Sequence, residues 1–226
     1  MGKHVFLSVL GATILALLLG IYLSSLKAPE INQAGFPWQI ENLESGHTRV
    51  FSLIVGQSTL GDAEQVFKEF SAITLFVPEQ SKAVIEAFFS EVKIAGLKSK
   101  MVMSIDLPAD EIQAMFSRGA RISTLGDGTR KVTLSGADAM RVRESTIASI
   151  TYLPSVHLEA ELIEKRFGQP TEKIQDTESD AVHWLYPEKG VDIALSDTEK
   201  EVILYVMPDD FDALIEPLKA AVNTAK

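Results

Sequence analysis

Few side chains in this 226-residue chain could run chemistry: four histidines (His4, His47, His157 and His183), several carboxylate clusters and no cysteine. Without cysteine there are no disulfides, thiolate nucleophiles, cysteine-held zinc or iron–sulfur centres, and no lipid attachment through sulfur. His157 lies near Glu159 and Glu161 at the start of an expected helix. His157 and Glu161, four apart, would place two metal ligands on one helical face, but acids in a first turn are also what the helix dipole favours. His183 sits in Ala181-Val182-His183-Trp184-Leu185-Tyr186. Period-two alternation puts Val182, Trp184 and Tyr186 on the core face, leaving His183 exposed or at a sheet edge. His47, beside Gly46, carries no pattern.

The remaining candidates read as local structure. Ser-Thr-Leu-Gly-Asp occurs at 58–62, where it opens a helix, and at 123–127, where it turns a hairpin. Neither copy continues into the Gly-x-x-x-x-Gly-Lys that cradles phosphate. No Gly-x-Ser-x-Gly elbow and no His-Glu-x-x-His is present. Asp106, Asp110 and Glu111, like Asp209, Asp210 and Asp212, fall at helix N-termini, where capping accounts for them; EF-hand spacing is missing. The sequence therefore offers no catalytic, cofactor-binding or metal-ligating set, and an enzyme is not expected. Lys and Arg number 21 against 31 Asp and Glu, a formal charge of −10, which argues against nucleic acid as a partner. One local basic excess, Arg130-Lys131 through Arg141 and Arg143, could meet anionic lipid or an acidic partner; the plainer reading is a solvated hairpin and turn.

Residues 5–26 carry no charge in 22 positions, about 33 Å as a helix against a hydrocarbon core of about 30 Å. They predict a transmembrane helix acting as a signal-anchor, with residues 1–4 in the cytoplasm, 27–48 as a tether, and the acidic remainder in the periplasm or outside. The localisation expected is the inner (cytoplasmic) membrane, single-pass, with the lipid bilayer as one partner through residues 5–26.

Beyond the tether, Ser52–Phe70 aligns without gaps onto Ser149–Phe167, with six of 19 positions identical at a spacing of 97. Asp106–Asp110 matches Val206–Asp210 at a spacing of 100. Together these predict an internal repeat, copies 49–118 and 147–226, joined by a hairpin and turn over 119–146. The fold class expected is α+β, a duplicated β-α-β(3–4)-α antiparallel-sheet module behind the transmembrane helix. In the first copy, a strand at Val50–Val55 leads to a helix at 59–70 with a Thr59/Asp62 capping box. Strands follow near 72–77, 83–89 and 99–107, with 92–96 as a further short one, then a helix at 109–117. The second copy reads as strand 147–153, helix 157–167, strands near 171–176, 181–186, 191–196 and 201–207, and a last helix bearing Phe211, Leu214, Ile215, Leu218 and Val222, which Pro217 should kink. Gly126-Asp127-Gly128 marks the connecting hairpin. Trp38 and Ile40 are expected to cap the core, with the lipid interface as the other place for Phe36 and Trp38.

Ile163-Glu164-Lys165-Arg166-Phe167-Gly168-Gln169-Pro170, followed by Trp184-Leu185-Tyr186, resembles the small envelope domains of the SmpA/OmlA (BamE-like) and β-lactamase-inhibitor-like group, over roughly residues 149–207. There a helix ends in a Leu/Phe-Gly-x-Pro turn and the next strands carry Trp-x-Tyr. The resemblance implies protein–protein contacts in the envelope and no catalysis; the lipidated cysteine of that family's lipoproteins has no counterpart here. The β-α-β4-α order also looks like the TATA-binding-protein topology, whose DNA role the acidic charge excludes.

The function expected is thus a binding or scaffold module contacting another envelope or membrane protein. The alternative is a small-ligand or lipid-binding domain using a groove between helices and sheet, lined by Phe88, Phe89, Met101 and Met103, which as plain core would line nothing.

Overall fold

The computed structural model describes residues 35–224, with side chains through Ala221. Ten of its strands form one sheet, and every pairing in it is antiparallel. In chain order, β1 (Glu41–Asn42), β2 (Thr48–Val50) and β3 (Leu53–Ile54) make a small separate sheet. Then come α1 (Leu60–Phe67), β4 (Ala72–Val77), β5 (Val84–Ile94), β6 (Leu97–Ile105) and α2 (Ala109–Ser117). β7 (Arg121–Thr124), β8 (Arg130–Thr133), α3 (Gly136–Arg143) and β9 (Ile147–Leu153) lead into α4 (Ala160–Phe167). β10 (Glu172–Gln175), β11 (Val182–Tyr186), β12 (Val191–Leu195), β13 (Val202–Tyr205) and α5 (Phe211–Thr224) complete the chain. The large sheet runs β10-β11-β12-β13-β9-β6-β5-β4-β8-β7.

Alternation explains how that sheet is covered. Ala87, Met103, Ile150, Tyr205, Val191 and Tyr186 stand directly opposite one another across six strands, and all are buried. This face carries one continuous apolar layer, into which α1 inserts Leu60, Ala63 and Phe67, α2 Met115, α3 Val142, and α4 Ile163 and Phe167. The opposite face is closed at its C-terminal end by α5, whose Phe211 and Ile215 meet Ile174, Leu185 and Val206. Trp38 and Ile40 pack on the main core as expected, and Tyr205 Oη, fully buried, donates to Pro37 O at 2.8 Å.

Two expectations are corrected here. The segment 5–26, read as a transmembrane signal-anchor, lies outside the described residues, and among the described residues no helix is long and apolar enough to cross a membrane. The described structure does not support the single-pass inner-membrane placement with a periplasmic domain. Nor does the α+β fold consist of two copied modules in series. The sheet is continuous through the β6–β9 pairing, and the halves are built differently. β9 lies inside the large sheet, but its expected counterpart, Val50–Val55, is split into a hairpin whose two-residue turn is Phe51 (φ 53°) and Ser52 (φ 63°). A left-handed backbone costs an L-residue about 1–2 kcal/mol. Burying the Phe51 ring, which meets Tyr205 edge-on at 5.5 Å and lies 5.3 Å from Tyr152, returns about as much.

The spacing of 97 also misplaces a helical turn. It matches Phe70, 82% exposed, to Phe167, which is buried; the residue that closes α1 against the core is Phe67, one hundred positions before Phe167. A slip of three residues is close to one turn of 3.6, so the apolar stripe matches itself nearly as well in either register.

Smaller differences have local causes. α4 begins at Ala160 rather than 157. The expected strands 83–89 and 92–96 are one strand, β5, carrying a bulge between Phe89 and Val92. The Glu69 carboxylate accepts from Ser90 N (2.8 Å) and Glu91 N (3.2 Å) at that bulge. The connector 119–146 contains α3, capped by Ser135 over Asp138. α5 runs through Pro217 as a single helix.

Candidate functional site

A histidine–carboxylate pair lies against each face of β10–β13, and each pair lines a cleft. On the α5 face, residues of one parity point outward: His183 and Leu185 from β11, Asp192 and Ala194 from β12. His183 stands opposite Ala194, and Asp192 opposite Leu185, so His183 and Asp192 are diagonal neighbours. His183 Nδ1 lies 2.8 Å from Asp192 Oδ2. This hydrogen bond raises the His183 pKa; burial opposes it, and the charges of Asp192 and Asp176 add to it. Asp176 is held below the usual carboxylate range, first by the Ser179 hydroxyl donating at 2.6 Å and then by the Glu178 amide at 3.0 Å. Asp192 Oδ1 is buried with no hydrogen-bond partner among the described residues. With Ile215 and Leu218 of α5 these residues enclose a cleft of about 320 Å³.

His183 is thus neither exposed nor at an edge. The parity expected for β11 is the one observed, but the face opposite Trp184 is covered by α5 and leaves the His183 side chain 19% exposed. A carboxylate-oriented imidazole can accept or donate a proton. Among the described residues no serine, threonine or cysteine lines its cleft.

On the other face, the loop before α4 brings His157 to Glu201, at the foot of β13. His157 does not pair with Glu161: the helix starts three residues later than expected, and His157 Nδ1 reaches Glu201 Oε1 instead. The Glu201 side chain is 1% exposed, and neither of its oxygens receives a properly directed hydrogen bond. Trp184 and Asp197 share this cleft of about 340 Å³ with Lys173, whose ammonium stands 3.5 Å from the centroid of the indole. Asp180, also in the lining, accepts from the Ser196 and Thr198 hydroxyls at 2.6 and 2.8 Å, which hold its pKa down.

The other sequence candidates are structural or lie elsewhere. Thr59 and Asp62 form the capping box. Asp127 folds its own turn, accepting from Thr129 N at 2.9 Å. Asp110 and Glu111 occupy the first turn of α2, Asp209 and Asp210 a 3₁₀ turn, and Asp212 the first turn of α5. The His47 imidazole Nδ1 lies 3.2 Å from Ser45 O and from Ser45 Oγ, within its own loop. Much of the basic stretch is spent internally: Arg141 on Glu111 (2.8 Å), Arg143 on the buried Glu64 (2.9 Å), and Arg130 over the Phe116 ring. Among the described residues no three histidines and carboxylates converge to hold a metal. Phe89, Met101 and Met103 are wholly buried core, and Phe88 is on the opposite face of β5, so the four do not share one lining.

Sequence reasoning missed Asp192 and Glu201. A signal for Asp192 exists: in Val191-Asp192-Ile193 it is an acid in mid-strand, on the parity of His183. Glu201 follows Glu199-Lys200 and reads as part of a solvated turn.

No protein-family model matches the chain, and no curated protein matches it. Among solved structures, a DUF4309 family protein (YjgB) from Bacillus subtilis subsp. subtilis str. 168 is similar over 72% of this chain and 88% of that one, at 12% identity. Its TM-score of 0.37 is too low to carry an argument about this chain.

Proposed function

We propose that this protein is a binding module that takes up an extended, acidic segment of a partner protein along the outer edge of β7. One observation carries the reading: among the described residues β7 ends the ten-stranded sheet, pairs only with β8, and has all four of its residues exposed. In an antiparallel ladder, alternate residues turn their N–H and C=O groups away from the paired neighbour. A terminal strand therefore offers half its backbone groups to a further strand. Edges are usually guarded by a charge, a proline or a covering element. At the far edge α5 packs beside β10, with Lys219 near Glu172 at 3.5 Å. β7 has Arg121 as its one charge, while Ile122 is 49% exposed. Arg121 and Lys131 share the face of this hairpin opposite the buried Val132, a positive patch on a chain of charge −10, which favours an acidic strand.

The test is a titration of the ¹⁵N-labelled protein with a blocked peptide of alternating glutamate and valine. Shifts concentrated at Arg121–Thr124 are expected. Ile122→Pro should abolish them while leaving the unfolding midpoint within a few degrees, because edge strands tolerate proline. No shifts at millimolar peptide, or equal binding by the proline variant, would overturn the reading.

A second reading, a small ligand held between helix and sheet, is favoured by the two clefts, whose volumes reach the lower end of ligand sites.

A further inference from the structure

We infer that the cleft between the start of α4 and β10–β13 is a binding site for a small organic ammonium ion, with Glu201 as its buried counter-charge. This deepens the small-ligand reading and is independent of the β7 edge.

Three observations converge. Glu201 is 1% exposed, and among the described residues no donor is aimed at either oxygen with hydrogen-bond geometry; the imidazole of His157, itself 63% exposed, stands beside Oε1. Buried polar atoms without a partner are rare in folded proteins and call for a missing donor. The indole of Trp184 already has an ammonium over it, that of Lys173, so the cleft shows the geometry by which an aromatic face holds a cation. Finally, Asp180 and Asp197 join Glu201 in the lining, which repels anions, while Val182 and Leu195 supply an apolar wall for a short alkyl chain.

The class of ligand follows from these features. A neutral donor could satisfy a Glu201 oxygen but would bring no positive charge to a lining that holds three carboxylates, Asp180, Asp197 and Glu201, against the one ammonium of Lys173. A metal ion lacks a converging ligand set among the described residues. An alkyl ammonium supplies N–H donors, positive charge and apolar surface together. Lys173 is then a resident competitor for the indole.

The probe is 1,4-diaminobutane, followed through the indole N–H resonance of Trp184 at pH 7, with 1,4-butanediol as its neutral counterpart. Saturable, millimolar or tighter binding of the diamine is expected, with no shift from the diol. Glu201→Gln should weaken the diamine at least tenfold, and Lys173→Met should tighten it severalfold. Asp197 is exposed and its removal leaves the core intact, so Asp197→Asn provides a fold-safe check, expected to weaken binding about threefold. Absence of saturation at 50 mM diamine, equal binding of the diol, or unchanged affinity in both acid variants overturns the assignment. None of these results bears on the β7 resonances, so this site and the edge-strand reading fail separately.

Discussion

At the scale of single residues, the chain places ionisable groups where burial amplifies their effect. His183 titrates between Asp192 and Asp176 beneath α5, with its pKa raised above the ordinary value of about 6.5. The protonated ring is stabilised more in the folded than in the unfolded protein. Its contribution is therefore fully present below about pH 6.5 and is lost as the pH rises through the higher folded-state value. Thermal unfolding followed from pH 5.5 to 8.5 should show the midpoint falling across that window, and His183→Gln should remove this part of the slope. A wild-type profile that is flat there would mean the pair is not coupled to folding. The partner in this pair was half legible. Alternation put His183 on the face away from Trp184, but that a helix covers this face follows from how α5 returns across β10–β13, which no local pattern records.

Among the elements, two departures from expectation come from backbone that ordinary side chains rarely adopt. Phe51 and Ser52 reverse the chain without a glycine, so the apolar run Val50–Val55 resembles one strand. Lys68, at the C-cap of α1, holds φ 56°, where Gly168 does the equivalent work for α4 at φ 87°. Lys68 is exposed, and the cost of its left-handed backbone exceeds the entropy a glycine would lose on folding. Lys68→Gly is expected to raise stability by about 0.5–1 kcal/mol in urea denaturation; a loss of stability would show that the lysine side chain contributes more than its backbone costs. Where the signals were conventional, they were legible. The Thr59/Asp62 capping box, β4, α2 and β9 lie where the pattern puts them, and Gly96, with Ala95 before it, closes the β5–β6 hairpin. α3 escaped because its weakly apolar stretch offers mainly Ser135 and Asp138 as a cap.

At the scale of the whole molecule, the row from Ala87 to Tyr186 ties the two halves into one core. Ile150 lies at its centre, fully buried, between Met103 of β6 and Tyr205 of β13. Removing its side chain to alanine should cost about 2–5 kcal/mol. Because the sheet is shared, fluorescence of Trp38 and Trp184 and far-ultraviolet circular dichroism should report a single coincident transition, displaced as a unit by Ile150→Ala. Two separable transitions, only one of them shifted, would show that the halves fold as independent modules.

By itself, the amino-acid order determined where β4, α2, β9 and the capping box of α1 lie, which side of β11 faces the main core, and that thiol chemistry is excluded. These properties depend on residues within a turn or two of one another, or on composition. Tertiary structure alone decided that ten strands form one sheet, that α5 covers the histidine face of β11, that β7 comes last in the strand order among the described residues, and that Glu201 is buried against His157 more than forty positions away. Each depends on how distant segments pair, and an alternating strand has the same local pattern whichever neighbour it acquires.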